Sequence, residues 1–490
     1  VGQASWPVLA VFTLATAGAA ALGPADAAQN QDQDALRALV RQHANIDVPQ
    51  EDGTTALQWA AHWNDLETVQ MLLRAGANPK LANRYGVTPL SEAAAAGNGA
   101  MIEALLNAGA DAKSLTTADG ETVLMTAARS GDVKSVQLLL DHGAEINAKE
   151  NYRGQTALMW AAAEGHPAVV KLLLARGADW KVLSLARDTS MPKLSAASSV
   201  TPMARGGLGA LHFAAREGDI ETGRVMLDAG VDVNSKDADS TTPLVVGILN
   251  KHYAFAKFLL DRGADPNLAD ARGRAALYAT LDLRNEDYSA LPSRKEDDPY
   301  PSLDLIRVLL EKGANPNAQL TKNLPGRSGM DSGDTTLDQG ATPLMRAARA
   351  GDHQAIRLLL QHGADPKLTT KDGNTAFLFA SGVGYRDKNT RGSESDALEG
   401  LKILTALGLD VNQANPRGET ALHGAASRGA DSIVQYLVDK GAKVDAKTKL
   451  GLTPLDYAMG KNVVTQLPVP HDGTVALVRK LGGVEGKVTK

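Results

Sequence analysis

The 490-residue chain contains no cysteine. That excludes disulfides, thiolate catalysis, Cys-ligated zinc, iron–sulfur clusters and covalent c-type haem together. Aromatic residues are scarce, at 4%, which suits thin stacked layers packed through Ala and Leu better than one thick core. Charge of one sign is lacking too. Against 56 acidic residues stand 51 basic ones, without a long basic run, so nothing draws the chain to nucleic acid or an anionic membrane. Catalytic and metal-site patterns are also missing. There is no His-Glu-x-x-His and no Gly-x-Ser-x-Gly, and the ten His are scattered. Gly207-Leu208-Gly209 has no preceding strand and no phosphate-binding Lys after it. Glu296-Asp297-Asp298 sits beside Arg294 and Lys295 and reads as a solvated loop. The expectation is no enzyme, no cofactor and no metal.

The long apolar run, 7–22, falls short of the ~20 residues a membrane-spanning helix needs. Gly23-Pro24 breaks it, and Ala25-Asp26-Ala27 follows with the small-x-small pattern of a signal-peptidase site. Residues 1–27 thus read as a secretory signal, with Ala28 as the mature start and a periplasmic or secreted destination. No Lys or Arg precedes the run, and an uncleaved anchor is the alternative reading. No Cys stands at the cleavage site, so a lipoprotein is excluded.

What is present in abundance is repetition. A Leu, once a Phe, followed by small residues recurs at 57, 90, 124, 158, 211, 244, 277, 344, 377, 422 and 455. A Gly, usually in Gly-Ala-Asp, recurs 19 residues after eight of these markers. Thr stands two residues before nine of the eleven, placed to cap a helix, and Pro at the next position fits the first helical turn. Gly97, Gly131, Gly165, Gly218, Gly351 and Gly429 are placed to end that short helix in a left-handed turn. A second helix follows, with apolar residues at i, i+3 and i+4, as in Val136, Leu139 and Leu140.

The openings Asp372-Gly373-Asn374-Thr375-Ala376-Phe377 and Arg417-Gly418-Glu419-Thr420-Ala421-Leu422-His423, with the close Gly263-Ala264-Asp265-Pro266-Asn267, resemble the ankyrin repeat family. The resemblance runs from about residue 50 to about residue 460. It implies an all-α solenoid of about eleven helix-turn-helix repeats with short β-hairpin fingers and a concave face. Two openings, Gly209-Ala210-Leu211 and Ala275-Ala276-Leu277, lack Thr and Pro and are expected to be weaker or displaced. The organisation reads as signal 1–27, capping helix 28–49 (residues 34–42 forming half a repeat), repeats 1–4 over 50–180, a long finger 181–206, repeats 5–7 over 207–317 with an insertion 284–303, a second long finger 318–339, repeats 8–11 over 340–460 with an insertion 384–397, and a cap and tail 461–490. In that tail 474–481 closes the array and 482–490 frays. Three repeats separate the long fingers, which would stand roughly 25–30 Å apart at the ~8–10 Å spacing of packed helices. They could grip a partner from two sides.

Aromatics recur just after the marker at Trp59, Trp160, Phe213, Tyr278, Phe379 and Tyr457, and are expected to fill space between repeats. Trp63 falls at the end of its helix, facing the groove, and Tyr85 and Tyr152 fall on fingers; these are candidate anchors for a partner. Arg84, Arg129, Arg153, Arg216 and Arg272 share finger or helix-end positions, as do Arg349, Lys371, Arg417 and Arg428. With Glu164 and Glu217 they would make a mixed polar groove. The reading is an interaction scaffold with a protein partner, no nucleic acid, no membrane span in the mature chain, and a monomer on its own. The rivals are an enzyme with its site in the insertions and a broad-specificity stress-protective scaffold.

Overall fold

The computed structural model describes residues 23–117, 119–188, 204–285, 298–324, 337, 339–385, 392–461 and 470–487. Their backbone is helical hairpins joined by short fingers, in two units, 1–152 and 153–490. In the first unit the inner helices are α1 (Pro24–Gln29), α3 (Ala56–His62), α5 (Pro89–Ala95) and α7 (Val123–Ser130); the outer ones are α2 (Gln33–Arg41), α4 (Leu66–Arg74), α6 (Gly99–Asn107) and α8 (Val133–Asp141). Each inner helix packs on the next inner one, and α4, α6 and α8 stack likewise.

The second unit opens with α9 (Ala157–Ala163) and α10 (Pro167–Ala175), then β1 (Arg187–Asp188) and β2 (Ala204–Arg205) paired antiparallel, then α11 (Ala210–Glu217) and α12 (Ile220–Asp228). It continues with α13 (Pro243–Leu249), α14 (Tyr253–Asp261), α15 (Ala276–Arg284), α16 (Ser302–Glu311), α17 (Pro343–Ala350) and α18 (His353–Gln361). It ends with α19 (Ala376–Ser381), α20 (Glu394–Thr405), α21 (Ala421–Arg428), α22 (Asp431–Asp439), α23 (Pro454–Ala458) and α24 (Asp472–Lys480). The inner helices from α9 to α23 again stack in sequence order.

The short helices start where Thr caps them. The hydroxyls of Thr55, Thr88, Thr122, Thr156, Thr242, Thr342 and Thr375 each accept the amide three residues on at 3.1–3.4 Å, a contact worth about 1 kcal/mol per helix. They stop where a left-handed residue is needed: the six glycines named above have φ between +63° and +81°. Pairs such as Ala93-Ala94 and Ala127-Ala128 are fully buried, so neighbouring backbones approach closely. The outer helices supply the bulk: Leu72, Leu105 and Leu139 are sealed from solvent, and truncating any of them to Ala costs about 2–5 kcal/mol.

Successive hairpins are joined by three kinds of polar staple. At the third helical position Gln58 receives the Thr55 amide on Oε1 and donates from Nε2 to the Val87 carbonyl of the next repeat. His212 and His423 do the same job in the second unit. Their Nδ1 atoms accept the amides of Gly209 (3.3 Å) and Thr420 (3.1 Å), and their Nε2–H groups reach the carbonyls of Thr241 (3.0 Å) and Leu452 (3.2 Å). A second staple is an Asn four residues after the closing Gly. Asn234, Asn267, Asn317 and Asn412 each accept the amide of the following repeat's loop at 2.7–2.9 Å. The third joins finger tips by one backbone hydrogen bond, as from Arg84 N–H to the Asp52 carbonyl and from Lys449 N–H to the Arg417 carbonyl, both 2.9 Å. Fingers close by turns such as Gln50 N–H to the Thr54 carbonyl.

Several expectations change. The N-terminal cap is a whole hairpin, not half a repeat. Pro24 stands at the first turn of α1, Asp26 receives the Gly23 amide (3.3 Å), and Ala25, Ala27 and Ala28 are buried against α3. The presumed cleavage motif is thus part of a packed helix. The two openings without Thr, at α11 after Gly209 and at α15 after Ala275, have no side-chain cap, as expected, but both helices keep their places in the stack, and at α11 His212 still accepts the Gly209 amide. Helix α20 begins inside the expected insertion 384–397. From the insertion 284–303, Asp298 returns to accept the Ala254 amide at 3.1 Å, capping α14. The tail does not fray over 482–487. Gly486 N–H donates to Asp456 (2.7 Å) and the Val484 carbonyl accepts from Thr453 (2.7 Å), so it lies where a following finger would. The tips of both long fingers lie outside the described residues.

Candidate partner-binding surface

Surface aromatics in the first unit are positioned by the short inner helices. α3 ends at His62 with Trp63 as its C-cap, and the Trp63 ring stacks on Trp59 at 6.2 Å while His62 packs edge-on to both. Trp59 was expected in the core. It is instead half-buried, its indole N–H bound to Gln50 Oε1 (2.8 Å). His62 Nδ1 lies 3.1 Å from Glu92, tying the cluster to the next repeat. Neither Trp59 nor His62 was singled out for binding from the sequence; the spacing of Trp59 three residues before His62 and four before Trp63 was the available signal.

On the next finger, Tyr85 is 60% exposed, with the Arg84 guanidinium 4.9 Å from its ring centroid and Nη2 donating to the Tyr85 hydroxyl (2.8 Å). The Thr54 amide and hydroxyl, helped by Arg84, hold the Asp52 carboxyl below the usual carboxylate range. Tyr152 is exposed on its finger, and Arg129 pairs with Glu121 at 3.4 Å. Arg84 and Tyr85 are thus held against each other, and Arg129 against Glu121.

In the second unit Arg153, Glu164, Glu217 and Lys371 are exposed. Arg216 pairs with Glu217 (2.8 Å) and lies 5.0 Å over the Phe213 ring. Arg428 lies 4.4 Å over the ring of Tyr385, a partner that sequence spacing did not reveal. Arg417 bridges Glu419 (2.9 Å) and Asp372 (3.4 Å). Burial alone would raise the Glu419 carboxyl, but hydrogen bonds from Asn415 and Tyr457 and the charge of Arg417 overcome it and hold it low. Two candidates are displaced from the surface altogether: Arg272 and Arg349 are 3% and 2% exposed. Arg272 donates to the Asn323 carbonyl (2.9 Å) and is a structural group. Of the aromatics expected in the core, Phe213, Tyr278, Phe379 and Tyr457 are buried, while Trp160, like Trp59, is partly exposed; Tyr278 stands one residue after its marker rather than two.

Nearby, the second unit keeps an ionic network inside. Arg346 pairs with Asp282 (2.9 Å), and Arg284 pairs with Asp352 (2.7 Å), which also receives Asn285 Nδ2 and caps α18 through the Ala355 amide. Burial, with the charge of Asp282, pushes the Tyr278 phenol well above its ordinary value. Among the described residues no group of three His, Asp or Glu is placed to hold a metal ion, and no helix is long and apolar enough to cross a membrane.

The family profile for ankyrin repeats in three copies matches residues 25–115, 94–183, 193–270, 300–388 and 392–470. The chain belongs to the ankyrin repeat family. Its first match begins at α1, in agreement with the complete N-terminal hairpin. The ankyrin repeat protein YahD of Escherichia coli (strain K12) is 31% identical over 190 residues, 36% of this chain and 90% of that protein. The mouse ankyrin repeat and SOCS box protein 16 is 29% identical over 251 residues, and this ankyrin chain covers half of its length. The human transient receptor potential cation channel subfamily A member 1 is 26% identical over 309 residues, 28% of its length. The crystal structure of the human ASB11 ankyrin repeat domain, 22% identical, covers 50% of this chain and 98% of its own, with a TM-score of 0.40. Ankyrin repeats are in general protein-interaction scaffolds rather than catalysts.

Proposed function

We propose that this chain is a non-catalytic scaffold that binds a protein partner through its groove and fingers, anchored in the first unit by Trp63 and Tyr85. The observation that carries the reading is where its few aromatic side chains stand. In a chain with 4% aromatics, Trp63 (43% exposed) and Tyr85 are held at the surface by stacking and cation–π contacts instead of filling the core. Rigid exposed aromatics flanked by Arg are the composition of binding hot spots. The test is affinity capture by the full chain against the double variant Trp63→Ala/Tyr85→Ala. At about 2 kcal/mol per anchor, affinity for the captured protein should fall by roughly a thousandfold. Unchanged affinity would sink the reading.

We propose also that the chain is exported on the 7–22 run, with processing before Gly23 rather than after Ala27. The support is the packing of α1: cleavage after Ala27 would cut a helix whose alanines are buried on α3. N-terminal sequencing of the exported protein checks this, and a start at Ala28 would refute it.

A further inference from the structure

A cavity of about 180 Å³ lies at the root of the joint between α10 and α12, lined by Trp180, Lys181, Leu183, Leu211, Val231 and Lys236 together with Gly209, Ala210 and Ser235. Its origin is legible in the repeat. Position 181 is the fourth after the closing Gly177, where Asn234, Asn267, Asn317 and Asn412 staple their joints. A lysine has no acceptor, so it cannot receive the next loop's amide. Trp180 stands where Pro266, Pro316 and Pro366 stand in later repeats, and it puts an indole beside the unstapled gap.

We propose that this cavity is an anchor site for an acidic peptide segment of a partner protein, taking one large apolar side chain between Lys181 and Lys236. Three observations select that occupant. The volume is below the ~300–1,000 Å³ typical of small-molecule pockets but sufficient for a single branched or aromatic side chain. The walls are apolar in depth, with Leu211, Ala210 and Val231 buried behind the half-buried Trp180. Two lysines edge the cavity: both are exposed, Lys181 Nζ lies 5.5 Å from the Trp180 ring centroid, and none of the nine lining residues is acidic, although Asp179, Asp232 and Asp237 adjoin them in sequence. The chain's own adjoining stretch, 189–203, carries Lys193 and no carboxylate, so charge does not select it as the occupant. This site is separate from the Trp63 and Tyr85 anchors and stands or falls independently of them.

The test uses the full chain and fluorescently labelled seven-residue peptides: a Leu flanked on each side by Glu-Asp-Glu, the same peptide with Ala in place of Leu, and a Leu flanked by Lys-Arg-Lys. The acidic Leu peptide should bind with a Kd below about 1 mM, the Ala peptide at least about tenfold more weakly, and the basic peptide not detectably. The double variant Lys181→Glu/Lys236→Glu, with an unchanged circular dichroism spectrum, should lose at least about tenfold, whereas Trp63→Ala/Tyr85→Ala should bind the peptide as the natural chain does. Equal binding of the Leu and Ala peptides, binding that survives the charge reversal, loss in the Trp63/Tyr85 variant, or no binding of the acidic Leu peptide would each overturn the proposal.

Discussion

The two units are built from the same hairpin and both carry exposed ion pairs, but among the described residues the second also buries part of its charge. In the first, ion pairs ride on the surface: Arg37 and Glu67 meet at 2.8 Å with side chains 45% and 75% exposed. In the second, Arg346 and Asp282 meet at 2.9 Å with 4% and 15% exposed. Equal geometry does not mean equal consequence. An exposed pair trades one set of solvated charges for another and contributes about 0–1 kcal/mol, whereas removing half of a buried pair strands a desolvated charge.

The largest effect expected follows directly. Asp282→Ala should destabilise the second unit by about 3–5 kcal/mol, and Glu67→Ala should change the first by less than about 1 kcal/mol. Hydrogen exchange resolved by unit reads both, and comparable losses would erase the contrast drawn above. The next effect concerns acid. Gln58 carries no titratable proton, while burial depresses His212 and His423 to about 4 despite the hydrogen bonds each makes to a backbone carbonyl. Both are neutral in the fold and would titrate near 6.5 when unfolded, so their contribution is intact above about pH 6.5 and is lost as pH falls toward 4. The second unit should therefore soften over that window by roughly 3 kcal/mol per histidine at most, and His212→Gln/His423→Gln should flatten the profile while leaving stability at pH 7.5 nearly unchanged. A slope that persists in the double variant would place the acid sensitivity elsewhere. Smallest is Lys181→Asn, which restores the missing staple. It should add about 1 kcal/mol to thermal or urea stability of the second unit, and a loss would argue against the gap arising from that position.

The helix starts, stops and stacking order were legible because each rests on a local device: a capping Thr, a left-handed Gly, a buried Ala pair. What escaped was decided by neighbours distant in sequence. Arg272 and Arg349 occupy the positions of exposed arginines in other repeats, and no local feature announces that theirs are buried. α1 was hidden for a different reason. Its Pro24 and Asp26 obey the opening pattern of the repeat, but Ala25-Asp26-Ala27 after an apolar run also obeys the pattern of a processing site. The ordered tail was missed because its hydrogen bonds use backbone atoms of Val484 and Gly486, which no side-chain pattern reports.

The asparagine staples carry a mechanical corollary. Along the second unit, Lys181 stands at the joint before those fastened by Asn234, Asn267 and Asn317, and Lys367 separates these from the joint fastened by Asn412. A stack of this kind behaves as a series of stiff links and compliant ones, because strain collects at whichever element in a series resists least. Under tension or bending, a seam without the asparagine bond leans on its remaining cross-links, such as Arg417 to Asp372 and Asn415 to Asn374 beside Lys367, so one residue per joint adjusts the chain's compliance.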